Sequence, residues 1–386
     1  MGDTVILVEH ETYKERFRYV KGDGMVCGRK VLQWKNADGQ SDGEDDVKVF
    51  SAMGYVSACW ISDRMTPVFV LPKLQGMSFS AMYRDCMVHV NDPLYGRWFA
   101  EKLAWFDIEK PGIPISSFER VRSFLKEFMM FAMLDFVAKA KACENRDPGF
   151  LGRLSVNRKA VVGRACRDIL MKSSELGLEV PPDECEDIVG IFRDVAGMEG
   201  SMEKDIRREL KSACGSKDVV VSAAGGVSYG FDCLLTGFVP VMAIDSSRLF
   251  ELYVFHKLHP HREGFGREDI VFQPDIPMPF GEGGPKHWYP DFLWLSSRLI
   301  IDVKYKRLKS GYPSQDDIRQ LAGYGRSSRV HELLDVLEGQ EPRILFVYPA
   351  FDGVEDIGAD VISQSEKLEG FTQMYTLKLR VPRTEY

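Results

Sequence analysis

"HWYPDFLWLSSRLIIDVKYKRL", residues His287 to Leu308, is the stretch on which the fold of the C-terminal part of the chain turns. Two apolar runs, Trp288 to Leu295 and Leu299 to Tyr305, are separated by Ser296, Ser297 and Arg298, a pattern that predicts neighbouring buried strands joined by a turn. Yet Asp291 follows a proline in the first run, and Asp302 and Lys304 interrupt the second. An unpaired charge on a buried strand is costly, so these residues need partners. Side chains two apart on a strand share a face: Asp302 and Lys304 project together, while Ile301, Val303 and Tyr305 pack the other way. Pro290 removes a ladder donor, which lets Asp291 sit where its strand bends and reach the face of Asp302 from an adjacent antiparallel strand. Two converging carboxylates repel unless a cation lies between them, and hard oxygen ligands suit Mg²⁺ completed by water and a substrate phosphate. Lys304 would then hold or help deprotonate an attacking water. The stretch predicts phosphodiester hydrolysis; the bland alternative is a rim ion pair between Asp302 and Lys304 at a sheet edge.

Working outward, "DSSRLFELYVFHKL" from Asp245 has the form of a capped helix, followed by the strand "DIVFQPDI". After the hairpin come a helix starting near Ser314 and the strands "RILFVYPA" and "FTQMYTLKLRV". This order predicts a mixed sheet flanked by helices.

Residues 1–110 read as short strands between Gly- and Asp-rich turns, among them "TVILVEH", "KVLQWKN", "DVKVFSAMGYVSACWIS" and "TPVFVLPKL", and predict a small antiparallel barrel or sandwich. The acidic loop Ala37 to Asp46 is expected to be solvated. From Ser116 the period becomes helical: Ser116 and Glu119 have capping-box spacing, and Phe118, Val121, Leu125, Phe128 and Met129 form a core stripe. Helices are predicted over about 157–176 and 182–213, with "GLEVPPDE" as a break. The fold class expected is a multidomain α+β or α/β protein: a β-rich, barrel-like partner- or DNA-interacting domain (1–110), a mostly helical linker region (111–244) and a C-terminal mixed sheet with its helices (245–386).

Composition narrows the function classes. The 386 residues carry a net charge of −7, against a generally basic nucleic-acid binder. The segment Arg298 to Arg329 is locally cationic, with eight Lys or Arg against Asp302, Asp316 and Asp317, enough for a small phosphate-binding face. No segment is an apolar membrane span and the N-terminus lacks the form of a signal peptide, so a cytoplasmic protein is expected. The eight cysteines lie far apart without a CxxC pair and read as buried, reduced thiols. His256, His259 and His261 form an HxxHxH cluster, but Pro260 breaks the helix and no nearby Cys completes a metal set. "GGVSYG" and "GEGGPK" are Gly-rich without the Walker form, so no nucleotide is expected on this chain.

"PDFLW…LIIDVKYK" resembles the core of the PD-(D/E)xK nucleases. With "SSRLFELYVF" upstream and "DIRQLAGYG" downstream, where Gln320 and Tyr324 stand at QxxxY spacing, the region 245–350 is similar to the McrC family, the nuclease subunits of McrBC-type modification-dependent restriction systems. The resemblance implies Asp291, Asp302 and the Val303 backbone carbonyl as ligands of Mg²⁺ (or of Mn²⁺ in its place), and Lys304 as the catalytic lysine. It implies Glu251 as an accessory acid and possible further ligand, with Gln320 and Tyr324 facing the site; Lys306, on the face of Asp302, is a lesser candidate for phosphate contact. Its implied partners are DNA and an AAA+ GTPase motor, a McrB-like hexameric ring that loads the nuclease and whose GTPase it stimulates, with no membrane. The N-terminal third carries little of the resemblance beyond "VFVLPKL", and the turn from Ser62 to Pro67 is its candidate partner contact. Two other readings stay open: a self-sufficient endonuclease whose N-terminal domain reads DNA, and a non-catalytic activator of an AAA+ ring.

Overall fold

The computed structural model describes residues 4–9, 11–18, 23–36, 47–53, 55–61, 66–74, 76–92, 96–114, 119–195, 206–258, 269–277, 287–306, 308, 312–337, 339–358 and 360–384. The loop 37–46, Ser116 and Phe118 of the expected cap, His259 and His261, "GEGGPK" and residues 62–65 of the candidate partner turn lie outside them. Contacts divide the chain into two units, Met1–Leu249 with Thr384–Tyr386, and Phe250–Arg383.

In the first unit the strands are β1 (Val5–Val8), β2 (Thr12–Arg18), β3 (Leu32–Asn36), β4 (Val47–Ala52), β5 (Val56–Ile61), β6 (Thr66–Leu71), β7 (Ala104–Phe106) and β8 (Met242–Ile244). Its main helices are α1 (Phe79–Met87), α2 (Glu119–Arg146), α3 (Val156–Lys172), α4 (Pro182–Val195), α5 (Ile206–Cys214) and α6 (Val219–Leu235). The larger sheet has the order β1-β6-β5-β8-β7, and β2-β4-β3 form a separate antiparallel sheet. The expected barrel does not close among the described residues. β1 pairs parallel to β6, and β8, from far along the chain, enters between β5 and β7. The sheet is completed by chain that follows the helices, which puts the strand-rich and helical stretches in one unit.

The helix α6 has no counterpart in the sequence reading. Its residues "VVVSAAGGVSYGFDCLL" are buried on almost every side, so no polar stripe marks the helical period. Asp218 caps its start, accepting from Val220 N and Val221 N at 3.1 and 3.2 Å. Its glycines are points of close approach: a Cβ at Gly226 would overlap the Phe106 ring on β7, whereas one at Gly230 would meet the mobile end of Met129. All eight cysteines are free. Five are buried as expected, but Cys27 is exposed and Cys143 and Cys185 are half-buried.

The second unit begins within α7 (Ser246–Leu258) and continues through β9 (Ile270–Phe272), β10 (Phe292–Trp294), β11 (Leu299–Val303), α8 (Gln315–Gly325), α9 (Ser328–Leu333), β12 (Arg343–Ala350), β13 (Glu366–Lys367) and β14 (Met374–Arg380). Its sheet runs β9-β10-β11-β12-β14-β13 and is mixed, since β11, β12 and β14 are parallel while β9–β10, β10–β11 and β13–β14 pair antiparallel. The predicted hairpin is present with the register Phe292↔Ile301 and Trp294↔Leu299. Its first strand is shorter than the apolar run, because Pro290 separates Trp288, which pairs with Ile276, from β10. Asp269 clamps the turn by accepting from Trp294 Nε1 at 2.8 Å and Ser296 N at 2.7 Å.

Side chains alternate across β11. Ile301 shares a face with its partner Phe292, against which Phe255 of α7 stacks at 5.6 Å. Ile300 lies on the opposite face, in a core with Phe346 and Tyr348 of β12, Leu321 and Tyr324 of α8, and Val330 of α9.

We expect Gly226→Ala to lower stability by about 1–3 kcal/mol, because overpacking against a buried ring outweighs the gain in helix propensity. Gly230→Ala, which meets chiefly the flexible end of Met129 and the Phe106 ring only at 3.3 Å, should cost less. Urea denaturation of both variants checks this ordering.

Candidate active site

β11 delivers a charged pair onto an otherwise apolar face. Asp302, 3 % exposed, points to the same side as Ile300 and pairs in register with Phe346. Lys304 follows the last strand residue, and its N–H donates to the Val347 carbonyl at 2.9 Å, carrying the pairing one step further. Lys304 Nζ lies 2.5 Å from Asp302 Oδ2. Apart from that ion pair, Asp302 Oδ2 is buried without a hydrogen-bond partner among the described residues.

Asp291 reaches this group from the bend before β10. Its Oδ2 accepts from Val303 N at 2.7 Å, and its carbonyl accepts from Gln273 N at 2.9 Å. The bend follows from Pro290, as the sequence suggests.

α8 closes the face. Ser314 and Asp317 form a capping box, in which Ser314 Oγ accepts from Asp317 N at 3.3 Å and Asp317 Oδ2 accepts from Ser314 N at 3.1 Å. This fixes where the helix starts. Residues three and seven positions on then face β11: Lys304 Nζ donates to Gln320 Oε1 at 3.2 Å, and Gln320 Nε2 donates to Tyr324 Oη at 2.8 Å. Asp317 serves both cap and site, with Oδ1 3.7 Å from Lys304 Nζ and Oδ2 paired with Lys306 Nζ.

The electrostatics follow from this geometry. Burial, then the neighbouring Asp291, raise the pKa of Asp302 to about 7 against the opposing pull of Lys304. For Lys304, burial disfavours the charge, but Asp302, Asp317 and Asp291 outweigh it and hold the ammonium above the usual lysine value. Burial also acts to raise Asp317, yet its bonds to Lys306 and Ser314, with the charges of Lys306 and Lys304, keep it below the ordinary range. Tyr324 is raised, chiefly by burial. Two neighbouring carboxylates, one with an orphaned buried oxygen, are a hard-oxygen donor set of the kind Mg²⁺ takes when water and phosphate complete its shell. Among the described residues, no three His, Cys, Asp or Glu side chains form a closed metal cage.

Asp291, Asp302, Val303, Lys304, Gln320 and Tyr324 are thus brought together. Glu251 is half-buried on α7, the helix whose Phe255 stacks on Phe292 of β10. The leading charge effects on Asp302 come from Asp291, Lys304 and Asp317. Asp317 is the residue that sequence reasoning missed. Its signal was available in the Ser314-x-x-Asp317 cap standing three residues before Gln320. Lys306 contacts that carboxylate and Ser314 Oγ at 3.4 Å. Comparison with known proteins gives no matching family model and no curated match.

Because the folded-state pKa of Asp302 is raised, the folded chain holds this proton more tightly than the unfolded chain. The stability it contributes is present below about pH 4 and is lost as pH rises through about 7. In metal-free buffer we expect the stability of the wild type relative to Asp302→Asn to fall by about 1–3 kcal/mol between pH 4 and pH 7.5. Urea titrations across that range measure it, and a flat difference would show that Asp302 is not held protonated.

Proposed function

We propose that the chain is a metal-dependent phosphodiesterase acting on DNA, of the PD-(D/E)xK type that its second unit resembles. The observation that supports it most is the junction of Asp291, Asp302, Lys304 and Gln320 on one face of β11 and α8. Two acids and an ammonium share a buried site in which one carboxylate oxygen depends on a single lysine for its compensation. A structural ion pair needs only two of these groups, and the second acid makes it worse by repulsion.

In this reading Asp291, Asp302 and the Val303 carbonyl would hold Mg²⁺, which would supply positive charge to stabilise the phosphate oxygens and the leaving group. Asp291 is oriented by the Val303 N–H. Lys304 donates from its ammonium to the attacking water or the scissile phosphate, and Gln320, itself held by Tyr324, aims it. Asp317 and Lys306 fix the start of α8 and set the distance of Gln320 from β11. Glu251 is an accessory acid.

The resemblance carries the reading one step further, to the nuclease subunit of a McrBC-like complex that cuts foreign or modified DNA when loaded by a separate AAA+ GTPase ring whose hydrolysis it stimulates. The net charge of −7 agrees with weak DNA affinity of the chain by itself.

We expect Asp302→Ala and Lys304→Ala each to abolish Mg²⁺-dependent DNA cleavage. Gln320→Ala and Glu251→Gln should lower it about 10- to 100-fold, the range for groups that orient a metal site. Single-turnover cleavage of modified and unmodified DNA, with and without an added McrB-like AAA+ GTPase ring, is the measurement. Undiminished cutting by both Asp302→Ala and Lys304→Ala removes the nuclease reading.

A further inference from the structure

The face that bears Ile300, Asp302 and Phe346 continues to Tyr348. Parallel pairing sets Asp302 beside Phe346 and Val303 beside Val347, and the bond from Lys304 N to Val347 O prolongs the ladder. Tyr348 therefore lies at the level of Lys304 on the neighbouring strand, about 5 Å away at the backbone. Its ring, 1 % exposed, packs among Ile300, Leu321, Tyr324 and Phe346. Its hydroxyl has no hydrogen-bond partner among the described residues. A buried hydroxyl without a partner costs stability, and phenylalanine would fill the same space without that cost. Packing thus explains the ring and leaves the oxygen unexplained.

A second buried oxygen on this face is also short of donors. Asp302 Oδ2 has Lys304 and no second partner among the described residues. If Lys304 turns away while no metal is bound, Asp302 loses the one cation that the described residues set beside it, and a buried carboxylate is left to bear the cost of desolvation. The Tyr348 phenol lies on the neighbouring strand, on the same face of the sheet. Burial and the charges of Asp317 and Asp302 hold its pKa above the usual value, so it keeps its proton and remains a donor.

We propose that Tyr348 is a positioning residue of this site, whose hydroxyl donates to the Asp302 carboxylate, directly or across one water, when Lys304 leaves it. The direction in which Lys304 turns rests on the nuclease reading. The exchange of donors at Asp302 is a property of the fold and can be measured without any cutting.

The experiment is a double-mutant cycle on the full chain, read by urea denaturation at constant pH. Tyr348→Phe should leave the midpoint unchanged or raise it in the wild-type background. In the Lys304→Met background, where the hydroxyl is the donor left to Asp302, it should lower the midpoint. Lys304→Leu, which likewise carries no donor, serves as the second background should the methionine variant fail to fold. Equal effects of Tyr348→Phe in both backgrounds overturn the proposal, and an equal loss in both marks plain packing. Cleavage is a separate arm: Tyr348→Phe should reduce kcat about tenfold with KM for DNA unchanged. A wild-type protein that cuts no DNA sinks the nuclease reading while the cycle still decides the role of Tyr348. Coupling in the cycle with unaltered kcat would overturn the catalytic consequence.

Discussion

The second unit depends on one constraint, the burial of the Asp302–Lys304 ion pair on a central strand. Removing two charges from water is expensive, and their mutual attraction offsets it only when geometry is good and the remaining polar atoms are satisfied. Much of the surrounding structure meets that condition. The Val303 N–H holds Asp291, Gln320 holds the lysine, and Tyr324 holds Gln320. The start of α8 is fixed by Ser314, Asp317 and Lys306, so the helix cannot slide along β11 without breaking its own cap. The Tyr348 hydroxyl on the next strand remains outside this scheme.

Such a residue of unmet polarity is hard to account for by stability. An apolar pair in place of Asp302 and Lys304 would extend the core of Ile300, Leu321 and Phe346 without desolvation cost. Local rules agree almost everywhere else in this unit: the hairpin has its turn, the helix its cap, the strands their alternation. Sites where a sequence departs from otherwise consistent local rules are where function is expected.

The charged strand made much of this legible in the sequence. "LIIDVKYK" carries its own alternation, and Pro290 marks the bend that frees Asp291. The strand "RILFVYPA" and the helix after Ser314 appear where their turn and cap signals place them. Gln320 and Tyr324 entered through the QxxxY resemblance and form a chain of hydrogen bonds that ends on Lys304. Asp317 was not found, because a carboxylate in a capping box has a sufficient local reason to exist and its reach to Lys304 is a tertiary fact. The helix α6 escaped for the opposite reason. Full burial erases the periodicity by which a helix is recognised, and its paired glycines resemble a loop until their neighbours are seen, Ala213 of α5 against Gly225 and the Phe106 ring against Gly226. The barrel expectation failed on long-range pairing, since nothing within residues 1–110 signals that β8 will be inserted from beyond residue 240.

The geometry of the ion pair also bears on how the site would work. With Lys304 Nζ 2.5 Å from Asp302, the ammonium and the carboxylate neutralise each other, and neither is fully available to a substrate. On the proposed reading, the site becomes active when positive charge from outside the chain takes over the compensation of Asp302 and the lysine is freed for the phosphate. Binding a cation and arming Lys304 are then one event rather than two. That linkage explains why Gln320 approaches Lys304 from the helix side. A lysine released from Asp302 still needs a fixed acceptor to aim it, and an amide supplies one without adding a competing charge to a site that already holds three carboxylates.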